Sequence, residues 1–266
     1  MTTLEVLMAV HASDRADWLE ACLATLEAQT LRANRVRIIA DGPLTDALET
    51  VLAQHSEMHA IVRQSLPVSS GLGAALAAGL EACDARFVAR MDADDLARPD
   101  RFARQMAVLE GTAGLAVVGS YADLFRDETA LGVRRMPVTD AEIRARVWTN
   151  PFVHSSVMFD RAAILAVGGY DASLRTRQDY DLWFRCVAGG LLMQNIPEAL
   201  VRYRVASVGK DRNLGVVWRQ VRTGWRGCAR VGAGPVAWLG VTAPLLFALL
   251  PAGVGRWARG RLRAPE

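Results

Sequence analysis

Paired cysteines are missing. The four that occur, Cys22, Cys83, Cys186 and Cys228, stand far apart with no Cys-x-x-Cys among them. That excludes a zinc ribbon or dithiol redox motif and argues against a disulfide framework. No basic leader followed by a long apolar run opens the chain, so the expected compartment is the cytoplasm. A Gly-rich phosphate loop of the Walker kind is absent, which removes P-loop chemistry. No aromatic residues interleave with the basic ones on a recognisable module, so no nucleic-acid partner is expected. Net charge is small, +3 from 31 Lys and Arg against 28 Asp and Glu. It is unevenly spread: residues 201–266 hold twelve of the basic and two of the acidic side chains, net +10, leaving −7 on the first 200.

What is present fits a packed enzyme. Of 266 residues, 52% are apolar and 22% charged, enough for a sizeable core in one large or two small domains. Apolar runs alternate with helical patterns. Leu4–Val10, Val36–Ala40, Ile61–Val62, Phe87–Met91 and Ala116–Tyr121 read as strands. Between them, helices are predicted from Trp18, Leu19, Cys22, Leu23 and Leu26, over Thr45–Gln54, over Gly71–Cys83 and from Pro99 to Leu109, with Asp17 and Glu20 as the first helix's cap pair and Pro99 at the last one's first position. This alternation predicts an α/β fold with a mostly parallel sheet covered by helices.

Ligands of such sheets bind beyond the carboxyl ends of the strands. His11 and Asp14 follow the first strand, Asp41-Gly42-Pro43 the second and Asp92-Ala93-Asp94-Asp95 the fourth. Asp and Gly favour turns, and for Asp14 alone that reading stands equally. Three carboxylates in four residues exceed what a turn needs. Their repulsion is offset by a hard divalent cation, which joins few carboxylates to phosphate oxygens.

Asp41-Gly42, Arg90-Met91-Asp92-Ala93-Asp94-Asp95 and Pro99-Asp100-Arg101-Phe102 resemble a family 2 glycosyltransferase of the GT-A (Rossmann-like) fold. Asn150-Pro151-Phe152-Val153-His154-Ser155-Ser156, Gly168-Gly169-Tyr170-Asp171 and Gln178-Asp179-Tyr180-Asp181-Leu182-Trp183 extend the resemblance, which spans roughly residues 4–205 and lies nearest to transferases of bacterial exopolysaccharide and capsule assembly. The resemblance implies a nucleotide-sugar donor, with Asp41 on the base, His11 and Asp14 nearby, Asp92 on the ribose, and Asp94 with Asp92 holding Mn2+ or Mg2+. It makes Asp179 the general base for the acceptor hydroxyl, with inversion at the anomeric carbon. It puts His154, Gly169, Asp181 and Trp183 on the acceptor side, Asp181 being the weaker alternative base because, two residues on, it points away on a helix. The residues themselves leave alternatives: Asp179 as a first-turn residue complementing the helix dipole, His154 as a turn or core residue, Trp183 as core, Gly71 and Gly73 as packing glycines. The family's Glu before the base is here Gln178, and its Asn near the third helix is Ala77. A degenerate sugar-nucleotide-binding scaffold, and a sugar-nucleotide pyrophosphorylase-like transferase, are the competing functions.

The organisation predicted is a catalytic domain over residues 1–205, with a nucleotide-sugar half to about 121 and an acceptor half over 122–205, then a basic and apolar extension over 206–266. Pro235–Val254 carries no charge, is broken by Pro244 and Pro251, and is flanked by Arg219, Arg222, Arg226 and Arg230 on one side and Arg256, Arg259, Arg261 and Arg263 on the other. Two arrangements fit: a segment dipping into the inner face of the cell membrane, with Arg on anionic headgroups, or a helix pair packed on the catalytic domain. With membrane association, the acceptor expected is a lipid-linked glycan.

Overall fold

The computed structural model describes residues 3–56, 60–205 and 214–249. Its centre is one nine-stranded sheet. Strands β1 (Leu4–Val10), β2 (Arg35–Ala40), β3 (Ile61–Ser65) and β4 (Phe87–Arg90) alternate with helices α1 (Ala16–Glu27), α2 (Asp46–Gln54) and α3 (Leu72–Ala82), as the alternation of apolar runs requires. β3, β2, β1 and β4 pair in that order, all parallel. Beyond β4 come β5 (Leu96–Ala97), α4 (Arg101–Gly111), β6 (Leu115–Arg126), β7 (Thr129–Arg134), α5 (Asp140–Ala145), β8 (Met158–Asp160), α6 (Arg161–Ala166), α7 (Gln178–Ala188) and β9 (Leu192–Arg204). β8 runs antiparallel between β4 and β6, and β9 lies parallel to β6. Six strands therefore share one direction, with β5, β7 and β8 against it. This is the mixed α/β sheet of a GT-A fold.

Two local expectations are corrected. Asp17 does not cap α1; Arg15 occupies that position, and Asp17 sits inside the first turn, ion-paired with Arg15 at 2.6 Å. Pro99 does not open α4. β5 pairs with β9 and keeps the chain extended through Arg98, whose N–H donates to Leu200 O, so the helix starts only at Arg101. Pro197 inside β9 is accommodated by a bulge: the register with β6 jumps from Ser120–Ile196 to Tyr121–Ala199, which spares a ladder bond proline cannot donate.

Helices cover both faces. One core packs α1, α2 and α4 through Leu19, Leu23, Leu48 and Phe102. The other packs α3, α6 and α7 through Leu76, Leu80, Ile164 and Trp183. The chain ends in α8 (Leu214–Val231) and α9 (Pro235–Leu249), with Pro244 inside the latter. α8 buries Val221, Thr223, Gly224, Gly227 and Cys228, and Cys228, Ala237 and Val241 join the second core. Of the two arrangements, the described residues show the second, a helix pair packed on the catalytic domain. No helix among the described residues is long and apolar enough to cross a membrane. Leu250–Val254 and Arg256, Arg259, Arg261 and Arg263 lie outside the described residues.

α8 docks at Gly227, where an added Cβ would meet the buried Phe184 ring at 2.1 Å. Gly227→Ala gains about 1 kcal/mol of helix propensity, but overpacking costs about 1–3 kcal/mol, so a net loss is expected in urea unfolding. Gly111→Ala, at the end of α4 with nothing within 4 Å, is the control and should not destabilise. A stabilised Gly227→Ala would show that α8 is not held there.

Candidate active site

Three strand ends meet at one edge of the sheet. β1 delivers His11 and Asp14, β2 Asp41, and β4 the loop Asp92–Asp95. They line a cleft of about 500 Å³, completed by Ser69, Gly71, Arg175, Thr176 and Tyr203. His11, Asp14, Asp41, Asp92 and Asp94 are thus brought together as the sequence suggested.

Each carboxylate is held differently. Asp14 accepts from the His11 backbone N–H at 2.8 Å, and burial raises its pKa above the ordinary carboxylate value. Asp41 is buried and accepts from Ser70 N at 2.6 Å, Gly71 N at 2.9 Å and Ser69 Oγ at 3.2 Å. It therefore organises the turn into α3 as well as lining the cleft. Gly71 sits at φ 95, and a Cβ there would lie 3.1 Å from Arg175 Cα; glycine is required on both counts. Gly71 and Gly73 serve as turn and packing residues, the latter with 2.2 Å between a hypothetical Cβ and Leu174 O.

Asp92, Asp94 and Asp95 place carboxylate oxygens within 4.8 Å of one another. Arg90, buried behind them, forms an ion pair with Asp92. Asp94 has no ion-pair partner among the described residues; burial, then the Asp92 charge, pushes its pKa up to about 6. Asp95 is buried and raised well above its usual value by burial, then by Asp92 and Asp94. It accepts from Arg204 N at 2.7 Å, while Arg204 Nε donates to Asp94 O at 2.9 Å. Asp95 is thus the loop's structural anchor. An under-neutralised cluster of hard oxygen donors fits a divalent cation.

The loop rests on residues whose part the sequence did not disclose. The fully buried Arg101 donates to Arg90 O at 2.8 Å and Val157 O at 3.4 Å, and its Nε to Gln105 Oε1 at 3.0 Å. Burial lowers its pKa to about 9. Gln105 reaches Val118 O and Ser156 O at 3.1 and 2.7 Å. Arg90 and Arg101 stand inside quoted motifs. Arg204, which comes from β9, has no local signal.

Asp179 lies in the first turn of α7, where Asn150 Nδ2 donates to its Oδ2 at 2.8 Å. The stretch leading to it borders the cleft through Arg175 and Thr176. Gln178 is buried; a neutral amide there avoids burying a charge. None of the four residues expected on the acceptor side lines this cleft. Trp183 is fully buried and packs on Phe152 at 4.8 Å between ring centroids. His154 Nε2 is 2.9 Å from Tyr170 Oη, and burial, then Arg90, pushes its pKa well below the usual value, so it is neutral. Asp181 is taken by Arg185 Nε at 2.7 Å. Gly169 makes a turn at φ 58 against Leu80 and Leu165.

Residues 6–166 match the sequence model of Glycosyl transferase family 2. The amylovoran biosynthesis glycosyltransferase AmsE of Erwinia amylovora is 31% identical over 82% of this chain and 81% of its own. The Escherichia coli UDP-Gal:alpha-D-GlcNAc-diphosphoundecaprenol beta-1,3-galactosyltransferase is 29% identical over 79% and 77%. Among solved structures, S. aureus TarS 1–349 in complex with UDP-GlcNAc superposes with a TM-score of 0.70 at 12% identity, covering 99% of this chain and 76% of that one, a likeness of fold. With more than half its length in the family match, the chain belongs to glycosyl transferase family 2.

Proposed function

We propose that this glycosyltransferase moves a sugar from a nucleoside-diphosphate sugar to a hydroxyl of a lipid-linked glycan, with inversion, in surface polysaccharide assembly at the inner face of the cell membrane. The observation that carries the reading is the cleft itself. It combines Asp41, Asp92 and Asp94 with the Arg175–Thr176 stretch that leads to Asp179. Relatives named for amylovoran biosynthesis and for a diphosphoundecaprenol-linked acceptor support the pathway class. A mannosyltransferase of Pyrobaculum calidifontis solved with GDP-Man and Mn2+ supports a metal.

In this reading His11, Asp14 and Asp41 surround the base, and Asp92 meets the ribose. Asp94 and Asp92 hold Mn2+ or Mg2+, which when bound supplies positive charge to the diphosphate leaving group. Asp179 accepts the acceptor hydroxyl's proton as that oxygen bonds to the anomeric carbon and the bond to the diphosphate breaks. Asn150 fixes one oxygen of the base. A single displacement from the opposite face inverts the centre.

The C-terminal helices support the membrane part. Arg219, Arg222, Arg226 and Arg230 are exposed along α8, and Trp218, Val236, Leu239 and Leu246 expose apolar side chains on α8 and α9. Such a pair suits adsorption to an anionic surface, at about 1 kcal/mol per Arg near it.

Three outcomes are expected. First, Mn2+ should raise the melting temperature at pH 7.5 and progressively less on acidification. Asp94, with its pKa raised to about 6, takes up its proton through that value, and a protonated carboxyl no longer competes for the ion. The sign without metal follows: a raised folded pKa means stability contributed by this group falls as pH rises from 3.8 through 6. Asp94→Asn should be at least as stable as wild type at pH 7.5 and insensitive to Mn2+; an unchanged Mn2+ shift in that variant would remove Asp94 from the site. Second, Asp179→Asn should lower kcat by about 10²–10⁴-fold with nucleotide affinity retained; full activity would move the base elsewhere. Third, Val236→Asp with Leu239→Asp should reduce binding to anionic vesicles by about tenfold or more. Wild-type protein that ignores such vesicles in sedimentation would end the membrane claim.

A further inference from the structure

A second cavity, of about 270 Å³, begins at Arg177, the residue after the cleft's Arg175 and Thr176. Its walls come from the 3-10 turn Val147–Thr149 and the residue after it, from the start of α7, and from both C-terminal helices: Trp148, Asn150, Arg177, Tyr180, Gln220 and Gly240. The stretch from Arg175 to Tyr180 thus borders the cleft at Arg175 and Thr176 and the second cavity at Arg177 and Tyr180, and Asp179 is tied to the second cavity's wall through Asn150.

The backbone is strained at this second cavity. Asn150 has φ 61 and ψ 82, and Arg177 φ 65 and ψ 21. Left-handed geometry is uncommon for residues other than glycine, and it gathers where function fixes a side chain. Asn150 holds Asp179 through its amide nitrogen, while its Oδ1 is buried without a hydrogen-bond partner. A buried carbonyl oxygen of that kind calls for a donor, such as a hydroxyl. Arg177 Nη2 donates to the neutral Gln220 Oε1 at 2.8 Å and is in no ion pair among the described residues. The cavity therefore offers an un-neutralised cation, an amide and an indole wall. α9, which forms one side, also carries the exposed Val236 and Leu239.

The geometry points to this cavity as the acceptor site, taking the sugar and anionic linker of a lipid-borne acceptor, with the C-terminal helices as part of its wall. The assignment rests on the transferase reading above for the identity of the ligand. Arg177 faces the anionic linker, Gln220 meets hydroxyls, Asn150 holds Asp179, and the acceptor enters past α9. Asp179, tied to Asn150, stands where the acceptor hydroxyl leaves this cavity for the donor cleft. Arg177 and Gln220 act on affinity and choice of acceptor.

The test uses the full chain and two probes, N-acetylglucosamine linked through diphosphate to a short alkyl chain and the neutral alkyl glycoside of the same sugar. Calorimetry should show wild type preferring the diphosphate probe. Arg177→Gly suits φ 65 better than arginine does, so the fold is kept while the cation goes. It should weaken that probe by about tenfold or more, abolish the preference, and leave the nucleotide Kd within about twofold of wild type. Arg177→Lys should restore most of the preference, and Gln220→Ala should weaken both probes. Failure of wild type to bind either probe, unchanged binding in Arg177→Gly, or an equal loss of nucleotide affinity would overturn the assignment. Arg177-dependent binding without any sugar transfer would instead overturn the transferase reading and leave the cavity standing. Transfer that ignores Arg177 and Gln220 would do the reverse.

Discussion

Repulsion among Asp92, Asp94 and Asp95 is the constraint around which the chain is arranged. Three acidic groups with oxygens within 4.8 Å do not stay together unaided. Arg90 balances one from beneath, the Arg204 backbone N–H is received by another, and Arg101 fixes the carbonyl of Arg90 itself. These supports come from β4, β9 and α4, so the loop is placed by elements distant in sequence. The residual imbalance, visible in the raised Asp94 and Asp95, is what leaves the loop ready for a cation. Folding alone would be better served by fewer charges here.

Much of the fold was legible because burial writes itself into apolar runs. β1, β2 and β4 are buried on both faces, hence mainly apolar with Glu5, Arg37 and Arg90 buried among them, and their acidic successors marked the site edge. The antiparallel strands left no such trace. β7 is exposed along its length and β8 has three residues, so neither carries a period that can be read. Asp17 and Pro99 misled because composition names a helix start only to within a residue or two, and at Pro99 the pairing of β5 with β9 decided it.

The residues of the acceptor-side motifs fall in different surroundings for a geometric reason. A motif read along the chain suggests neighbours share a role, yet a helix separates them. Asp181 lies two positions beyond Asp179 and so turns away, to be taken by Arg185 at i+4. Trp183 lies one turn deeper on an inward-running helix, where the core claims it. His154 is buried against Tyr170 and Trp183. Conversely, Arg204 and Gln220 are far from every motif in sequence, and only the closed fold brings them to the site.

Gly71 links the two ends of the site mechanically. Its N–H is held by Asp41, and its Cα faces Arg175 too closely for any side chain. The strand-end turn under the nucleotide side and the stretch entering α7 are therefore one seam, with no compliant side chain between them to absorb movement. Any residue but glycine at position 71 would have to part these two segments, so the shape of the turn into α3 and the course of the chain into α7 are set by the same position.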